Sequence, residues 1–466
     1  MSREVVFAPG RRLLTTGLVL TITFVGFESL AVATVLPDVR RDLGGVALYG
    51  WVFSAFMLGS LVGIVLAGAR ADATGPARPF VLALALFCIG LAAGGLAPSM
   101  IVLVLARFVQ GLGGGAIAPI AYVAIGRAFP PSVQPRVFAI LSSAWVLPGL
   151  IGPAIAGAIA DHASWRLVFL GLLPLVVPAG LVTLGPLMRI PPHPDEHRRA
   201  AQLSDAFAVT AGTALVLAGA SIHAIYATVP LAIAGGAVAI PAFIRLVPSG
   251  TVRLAPGLPA AVALRGLLMF AFFGTEAYVP LALTEVRHTS STVAGLALTM
   301  ATLMWTAGAW VQERTVARWG PRRLGRAGFA LVVIGIAGSA LSLSSAVPVA
   351  VFAVVWGIAG LGVGLVFSPL TLTVLASAPL GQEGSASASL ELAGVLGVAL
   401  GTGIGGALVA FAASVSWSER RGVLCVDAIT AVVAFASLLG AARLPREVSD
   451  ARGRASETLG PEVSGA

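Results

Sequence analysis

Leu103–Pro119 reads LVLARFVQGLGGGAIAP, an apolar run with one arginine and a ladder of glycines inside it. Helical spacing places Arg107, Gly111 and Gly115 at i, i+4 and i+8, so a permanent cation and a smooth backbone strip share one face. An arginine at the middle of a membrane helix costs roughly 2.5 to 3.5 kcal/mol on insertion scales, so it faces a bundle interior with a partner or snorkels to an interface. Gln110, nearly one turn further into the run, favours the interior. Gly111 and Gly115 let a neighbouring helix approach closely, which would close a cavity around the cation.

The rest of the chain has the composition of a lipid-embedded protein. Of 466 residues, 58% are hydrophobic and 11% charged, with a mean hydropathy of +0.96. The formal charge of +9 would suggest nucleic acid or another acidic partner for a soluble chain. In a membrane chain its meaning lies in which loops carry it, and no nucleic-acid partner is expected. All 29 basic residues are arginine. Without a lysine there is no Walker A loop, so a P-loop ATPase is excluded and transport would draw on an ion or substrate gradient. Cys88 and Cys425 lie in apolar segments and read as small buried hydrophobes. His162, His193, His197, His223 and His288 fall in loops or span ends, with no metal spacing in the membrane, so neither metal nor cofactor is expected.

Runs of about 20 apolar residues, each enough to cross ~30 Å of hydrocarbon, recur along the chain. They cover 13–36, 48–69, 79–98, 101–126, 137–160, 167–188, 204–223, 228–246, 261–284, 292–311, 324–343, 347–371, 386–411 and 423–442, fourteen in all. The first run contains Glu28 and exceeds a signal-peptide core, so it reads as a retained span. The N-terminus, the loops after even-numbered spans and the tail hold 21 arginines, and the opposite loops hold 6. Both termini are therefore expected in the cytoplasm. The expected organisation is a six-helix bundle over 1–188, a cytosolic linker with two inserted helices over 189–260, a second six-helix bundle over 261–442 and a disordered cytosolic tail over 443–466. The halves echo each other. Gly75-Pro76-Ala77-Arg78 follows span two and Gly320-Pro321-Arg322-Arg323 follows span ten. Gly149, Pro153 and Gly157 in span five are matched by Gly397, Gly401 and Gly405 in span thirteen, again eight spans later. Related halves are a transporter habit.

At these residues the chain resembles the major facilitator superfamily, and its span count resembles the fourteen-helix drug:proton antiporter branch. The loop carrying Gly68, Asp72, Gly75 and Arg78 is similar to the superfamily's glycine, aspartate, glycine and basic signature, departing from it at Ala73. Arg107 with Gln110 and Gly111 resembles the fourth-helix arginine motif. Gly152-Pro153 with Gly157 resembles the fifth-helix antiporter motif, with Ala156 in place of one glycine. The resemblance spans about 13–442 and implies an all-α polytopic fold of two six-helix bundles plus two extra central helices. In physical terms Pro153 permits a bend, and the glycine face lets helices rock against a partner.

Carboxylates in the spans carry the chemistry of such a machine. Glu28 lies mid-run in the first span, Glu276 in the ninth and Glu391 near the start of the thirteenth; Asp427, near the start of the fourteenth, reads as interfacial. Burial disfavours the charged form of a carboxyl and a nearby cation favours it. Glu28, Arg107, Glu276 and Glu391 are thus the proton-coupling candidates, with Glu28 first because first and fourth helices meet in the resembled fold. Phe24, Trp51, Phe56, Trp145, Trp305 and Trp356 either line a lipophilic substrate site or serve as packing and interfacial belt. The reading is a proton-coupled exporter of small lipophilic, neutral or cationic compounds, a multidrug efflux protein and not an enzyme. It would act as a monomer in a bacterial plasma membrane, its partners being a small-molecule substrate, protons and the lipid bilayer. A proton-linked metabolite or sugar transporter is the alternative. A membrane-embedded enzyme or sensor would need a catalytic cluster or an output domain, and neither is evident.

Overall fold

Lipid offers no hydrogen-bond partner to a peptide group, so an apolar chain of this length satisfies its backbone within helices. The architecture comes from a computed structural model that describes residues 11–130, 137, 140, 141, 144, 146–191, 199–222, 225–378 and 383–447. Its regular structure, among those residues, is helical throughout. Among the described residues, twelve helices are long and apolar enough to cross a membrane.

The helices of the N-terminal part are α1 Arg12–Leu43, α2 Tyr49–Thr74, α3 Ala77–Gly95, α4 Met100–Ala128 and α5 Val146–His162. There follow α6 Arg166–Leu170, α7 Leu173–Leu187, α8 Arg199–Ile222 and α9 Ile225–Leu246. The C-terminal part contains α10 Leu258–Glu276, α11 Val279–Leu281, α12 Ser291–Leu341, α13 Val349–Ser377, α14 Glu383–Ser414 and α15 Glu419–Gly440. A π-helical turn, Ala282–Val286, continues α11. Two compact units emerge, Met1–Ala239 with Ala277–Thr299, and Ile240–Glu276 with Met300–Ala466.

The glycine ladder of α4 explains the packing of the first unit. A Cβ at Gly111 would meet the Phe56 backbone, one at Gly115 the Ser60 backbone, and one at Gly113 the backbone of Ala83 and Phe87. Thus α4 lies backbone to backbone against α2 on one side and α3 on the other, the close approach that small residues permit. The second unit repeats the device on α13. Gly360 faces the Ala301 backbone, Gly364 faces Trp305, and Gly362 faces Gly328 and Val332. Counting back four residues from the first glycine gives Arg107 on α4 and Trp356 on α13. Equivalent positions therefore carry a cation in one unit and an indole in the other.

The two Gly-Pro turns also prove equivalent. Gly75, after α2, has φ 81° and ψ 162°, and Gly320 has φ 69° and ψ 165°. Both lie in the left-handed half of backbone space, which glycine enters without strain. The Gly320 turn breaks the long α12 into two helical stretches. Arg322 fastens it, its backbone N–H donating to Pro445 O at 3.2 Å and its Nε to Leu444 O at 2.8 Å. The side chains of Asp72 and Ala73 and the surroundings of Gly68 lie outside what is described, as does Trp145; Arg78 is exposed.

In the first unit, Gly157 of α5 abuts the Ser291 backbone and Gly295 of α12 abuts Pro153, while Gly152 faces the Phe27 ring. The small-residue face of α5 is thus spent on α1 and the start of α12. Asp161, at the end of α5, accepts from Ser291 N–H at 3.1 Å, Thr292 N–H at 2.9 Å and Thr292 Oγ1 at 2.5 Å. These orphan donors at a helix start are satisfied here by a carboxylate from another helix. Asp38 adds a bond from Ser291 Oγ at 2.6 Å, and Arg41 bridges Asp38 at 2.7 Å and Glu285 at 2.8 Å.

Candidate proton and substrate sites

The backbone contact of α2 with α4 brings Arg107, one turn before Gly111, against the first turns of α2. Its Nε donates to Val52 O at 3.2 Å, and its guanidinium lies over the Phe56 ring at 4.3 Å. Nη1 pairs with Glu28 of α1 and donates to Gln110 Oε1 at 2.7 Å. The side chains of Arg107 and Glu28 are 2% and 0% exposed. The interior placement of Arg107 is therefore the one realised. Its fork geometry lets one cation hold three helices at once.

This cluster is not fully satisfied. Glu28 Oε2 and Gln110 Nε2 are buried and complete no hydrogen bond. Buried polar atoms without partners are uncommon and costly, more so beside a buried ion pair. A carboxylate oxygen and an amide donor thus lie together in one sealed interior cluster beside the Arg107 cation. Phe24, half-buried on the same helix as Glu28, is the one other candidate from that span.

Aromatic packing dominates the corresponding region of the second unit. Phe272 of α10 stacks on Trp356 of α13 with centroids 5.1 Å apart and planes 10° from parallel. Trp305 of α12 meets Phe272 edge-on at 5.8 Å and reaches Phe367 at 5.4 Å. Trp356 is fully buried, and its indole N–H, close to the Glu276 carboxyl, completes no hydrogen bond. Glu276 is 7% exposed. The sequence singled out Trp305, Trp356 and Glu276, and the structure collects them in one unit with Phe272 and Phe367.

Glu391 pairs within this unit to Arg265, at 3.2 Å. The Arg265 guanidinium lies over the Phe367 ring at 3.2 Å and donates to Phe367 O at 3.3 Å. Arg265 is 2% exposed, whereas the Glu391 side chain is 60% exposed. The Arg265 pairing escaped the sequence reading because both residues stand alone in apolar runs; the Gly266 contact with Gly397, which joins α10 to α14, is what brings them together. Asp427, expected at an interface, is instead buried at 4% exposure on α15. It lies three residues before Thr430, whose hydroxyl meets that of Thr275 at 2.7 Å, so that face of α15 is packed against α10. Trp51 belongs to neither cluster; its Nε1 donates to Ser221 Oγ of α8 at 3.1 Å. Among the described residues no three His, Cys, Asp or Glu side chains gather as metal ligands.

Comparison with known proteins agrees with this helical arrangement. The probable multidrug-efflux transporter Rv1634 of Mycobacterium tuberculosis is 26% identical over 481 residues, covering 96% of each chain. The multidrug resistance protein Stp of the same organism is 27% identical over 411 residues, 85% of this chain and 75% of its own. The multidrug transporter protein MdtP of Bacillus subtilis is 28% identical over 165 residues, so this chain covers only 30% of that relative's length. The multidrug resistance protein 3 of the same species is likewise covered over only 35%. Among solved structures, a bacterial homolog of the human lysosomal transporter Spinster superposes with a TM-score of 0.65 at 15% identity, over 94% of this chain and 98% of that one. A D-xylose-proton symporter does so at 0.62 and 15%, over 93% and 98%. The family model for the Major Facilitator Superfamily matches residues 18–402. This chain, with its glycine-packed fourth helix and buried arginine, belongs to the Major Facilitator Superfamily.

Proposed function

We propose that this protein is a proton-coupled exporter of small lipophilic compounds, neutral or cationic, working by alternating access in a bacterial plasma membrane. The observation that carries the reading is the buried Glu28–Arg107–Gln110 cluster, a titratable carboxyl held against a cation in the interior of the first unit. Protonation of Glu28 weakens its hold on Arg107, and loss of the proton restores it, so one event changes the contacts joining α1, α2 and α4. A difference of one pKa unit between two states of the bundle is worth ~1.4 kcal/mol of coupling. Glu276 and Glu391 are the further proton-coupling candidates, both in the second unit. The aromatic cluster of Phe272, Trp305 and Trp356 offers an apolar, polarisable surface of the kind that recognises lipophilic ligands. Multidrug-named relatives support the substrate class.

The architecture that goes with this reading is fourteen-spanning. It counts the two stretches of α12 on either side of Gly320 separately and adds α5, a 17-residue apolar helix, to the twelve long helices. α8 and α9 are then the inserted pair, and both termini are cytoplasmic. The chain acts as a monomer, with α5 and its Pro153 and Gly157 as the surface on which α12 moves.

The test is Glu28→Gln, which keeps the shape of the protonated side chain and cannot titrate. The purified variant should bind a lipophilic cationic dye yet release no protons on binding. In inverted vesicles it should lose gradient-driven dye uptake, while Glu28→Asp keeps part of both. Wild-type proton release by Glu28→Gln would refute the assignment. Uptake of a sugar or metabolite in place of the dye would favour the alternative substrate class.

A further inference from the structure

Each unit holds a buried arginine paired with a glutamate, but the two pairs differ in how they meet water. Arg107 and Glu28 are both sealed, at 2% and 0% exposure, whereas Arg265 is 2% exposed and its partner Glu391 60%. A carboxylate so exposed within a span faces water rather than hydrocarbon, where its charge would be costly. Glu391 is therefore the wet side of its pair, and whatever stands in its place reaches both water and the guanidinium. Both residues belong to the second unit.

The cation is held firmly and its carboxylate loosely. The Arg265 guanidinium lies over the Phe367 ring at 3.2 Å, and Nη1 donates to Phe367 O at 3.3 Å. Glu391 adds one bond, from Nη2 to Oε1 at 3.2 Å. That is longer than the roughly 2.7 to 2.9 Å of a well-formed charged pair. An arginine fork can take a carboxylate through two parallel bonds. Here the second is not made, and Nε finds no acceptor among the described residues. Space exists beside it. A Cβ built on Gly394, three residues along α14 from Glu391, would sit 3.6 Å from Nε, in ordinary van der Waals contact and without a clash. An atom thus fits against the Nε edge of the guanidinium.

We infer that Arg265 is the anion-accepting position of a binding site for a lipophilic monocarboxylate, and that Glu391 is the built-in counter-ion which the ligand displaces. The ligand's carboxylate takes Nη2 from Glu391 and adds Nε, so one long bond gives way to two. Displacement costs little, because an ion pair with so exposed a partner is weak and the freed Glu391 is hydrated where it stands. Phe367, against the guanidinium, and Trp305, whose ring lies 5.4 Å from it, are both half-buried and set the apolar character of the ligand's body. One cation accepts one carboxylate, and a second negative charge on the ligand would meet Glu391. The inference goes beyond the export reading, which concerns neutral and cationic compounds. It concerns binding alone, so a failed Glu28→Gln test would leave it standing.

The test is equilibrium binding of radiolabelled 2-naphthoate to the full chain in nanodiscs. Binding should be saturable and displaced by unlabelled 2-naphthoate but not by 2-naphthamide, which has the same body without the charge. Glu391→Gln removes the competing carboxylate and should tighten binding about threefold, a change that a merely structural pair would not give. Gly394→Ala fills the space beside Nε and should weaken binding about fivefold, the value of one hydrogen bond. Arg265→Gln should weaken it more than tenfold. Should that variant fail to fold, the exposed Glu391 and the uncrowded Gly394 still decide the matter. Absence of saturable binding, binding unchanged or weakened in Glu391→Gln, unchanged binding in Gly394→Ala, or equal displacement by 2-naphthamide would overturn the inference. So would 2-naphthylmethylammonium binding that is lost in Glu391→Gln, because the exposed carboxylate would then be recognising a cation.

Discussion

Removing Arg107 and Glu28 singly and together tests whether the buried pair acts as a unit. Arg107→Met keeps the length of the side chain and deletes the bonds to Glu28, Gln110 and Val52 O and the contact with the Phe56 ring. It leaves a carboxyl with both oxygens open in a site that is 0% exposed. Breaking one side of a buried pair costs about 3 to 5 kcal/mol, most of it the penalty of the group left behind. Glu28→Gln leaves the cation with Gln110, Val52 O and Phe56 but without a counter-charge, a loss in the same range. When both are changed, neither charge remains, and an isosteric replacement of a buried pair is often close to neutral. The double variant should therefore be more stable than either single one, with a coupling energy of at least about 2 kcal/mol. The assay is unfolding in mixed micelles followed by tryptophan fluorescence, with gradient-driven transport measured in parallel. Transport should be lost in all three variants, which separates the coupling role from stability. Additivity within about 0.5 kcal/mol would mean the pair does not act as a unit and would refute the reasoning.

Other consequences can be checked at single positions. Gly111→Leu drives a side chain into the Phe56 backbone and should cost at least 1 to 3 kcal/mol, roughly the price of overpacking, and most of the folded yield; Gly126→Leu, with open space around it, should be tolerated, and equal yields would argue against the α2–α4 contact. Asp161→Ala removes the acceptor at the start of α12, worth about 1 kcal/mol as a cap, and should speed amide exchange at Ser291 and Thr292 several-fold in deuterium-exchange mass spectrometry, whereas Asp161→Asn should restore part of the protection. For topology, reporters fused after Arg189 and after Pro256 should both report cytoplasm and one after Tyr226 the exterior. Opposite sides for Arg189 and Pro256 would remove α8 and α9 as an inserted pair.

Several features were legible because membrane physics leaves few choices. A run such as 261–284 is helical since lipid cannot hydrogen-bond its backbone, and α10 indeed covers Leu258–Glu276. The equivalence of Gly75-Pro76 and Gly320-Pro321 was visible as a repeated dipeptide, and their matching dihedrals pair the extended ψ that a following proline favours with a positive φ that glycine adopts without strain. That Arg107 needs a partner was readable from the cost of a cation in hydrocarbon; that Glu28 supplies it was implied by the resemblance, in whose fold the first and fourth helices meet, and the structure pairs the two. Other pairings had no local trace. Arg265 and Glu391 are 126 positions apart and meet only because Gly266 and Gly397 let α10 and α14 touch. Nothing near Asp427 in the chain distinguishes a packed face from an interface.

The sequence by itself determined that this is a helical, membrane-embedded chain whose halves echo each other and whose fourth span carries a cation, because hydropathy, span length and the cost of charge in lipid are properties of short segments; whether that cation was buried or snorkelled it left open. Only the tertiary structure decided that Trp356 stacks on Phe272, that Trp51 turns toward α8, and that Arg265 meets Glu391. Those facts depend on which helix faces touch. A stripe of small residues announces that some backbone will come close, yet which one comes is set by the packing of the whole unit.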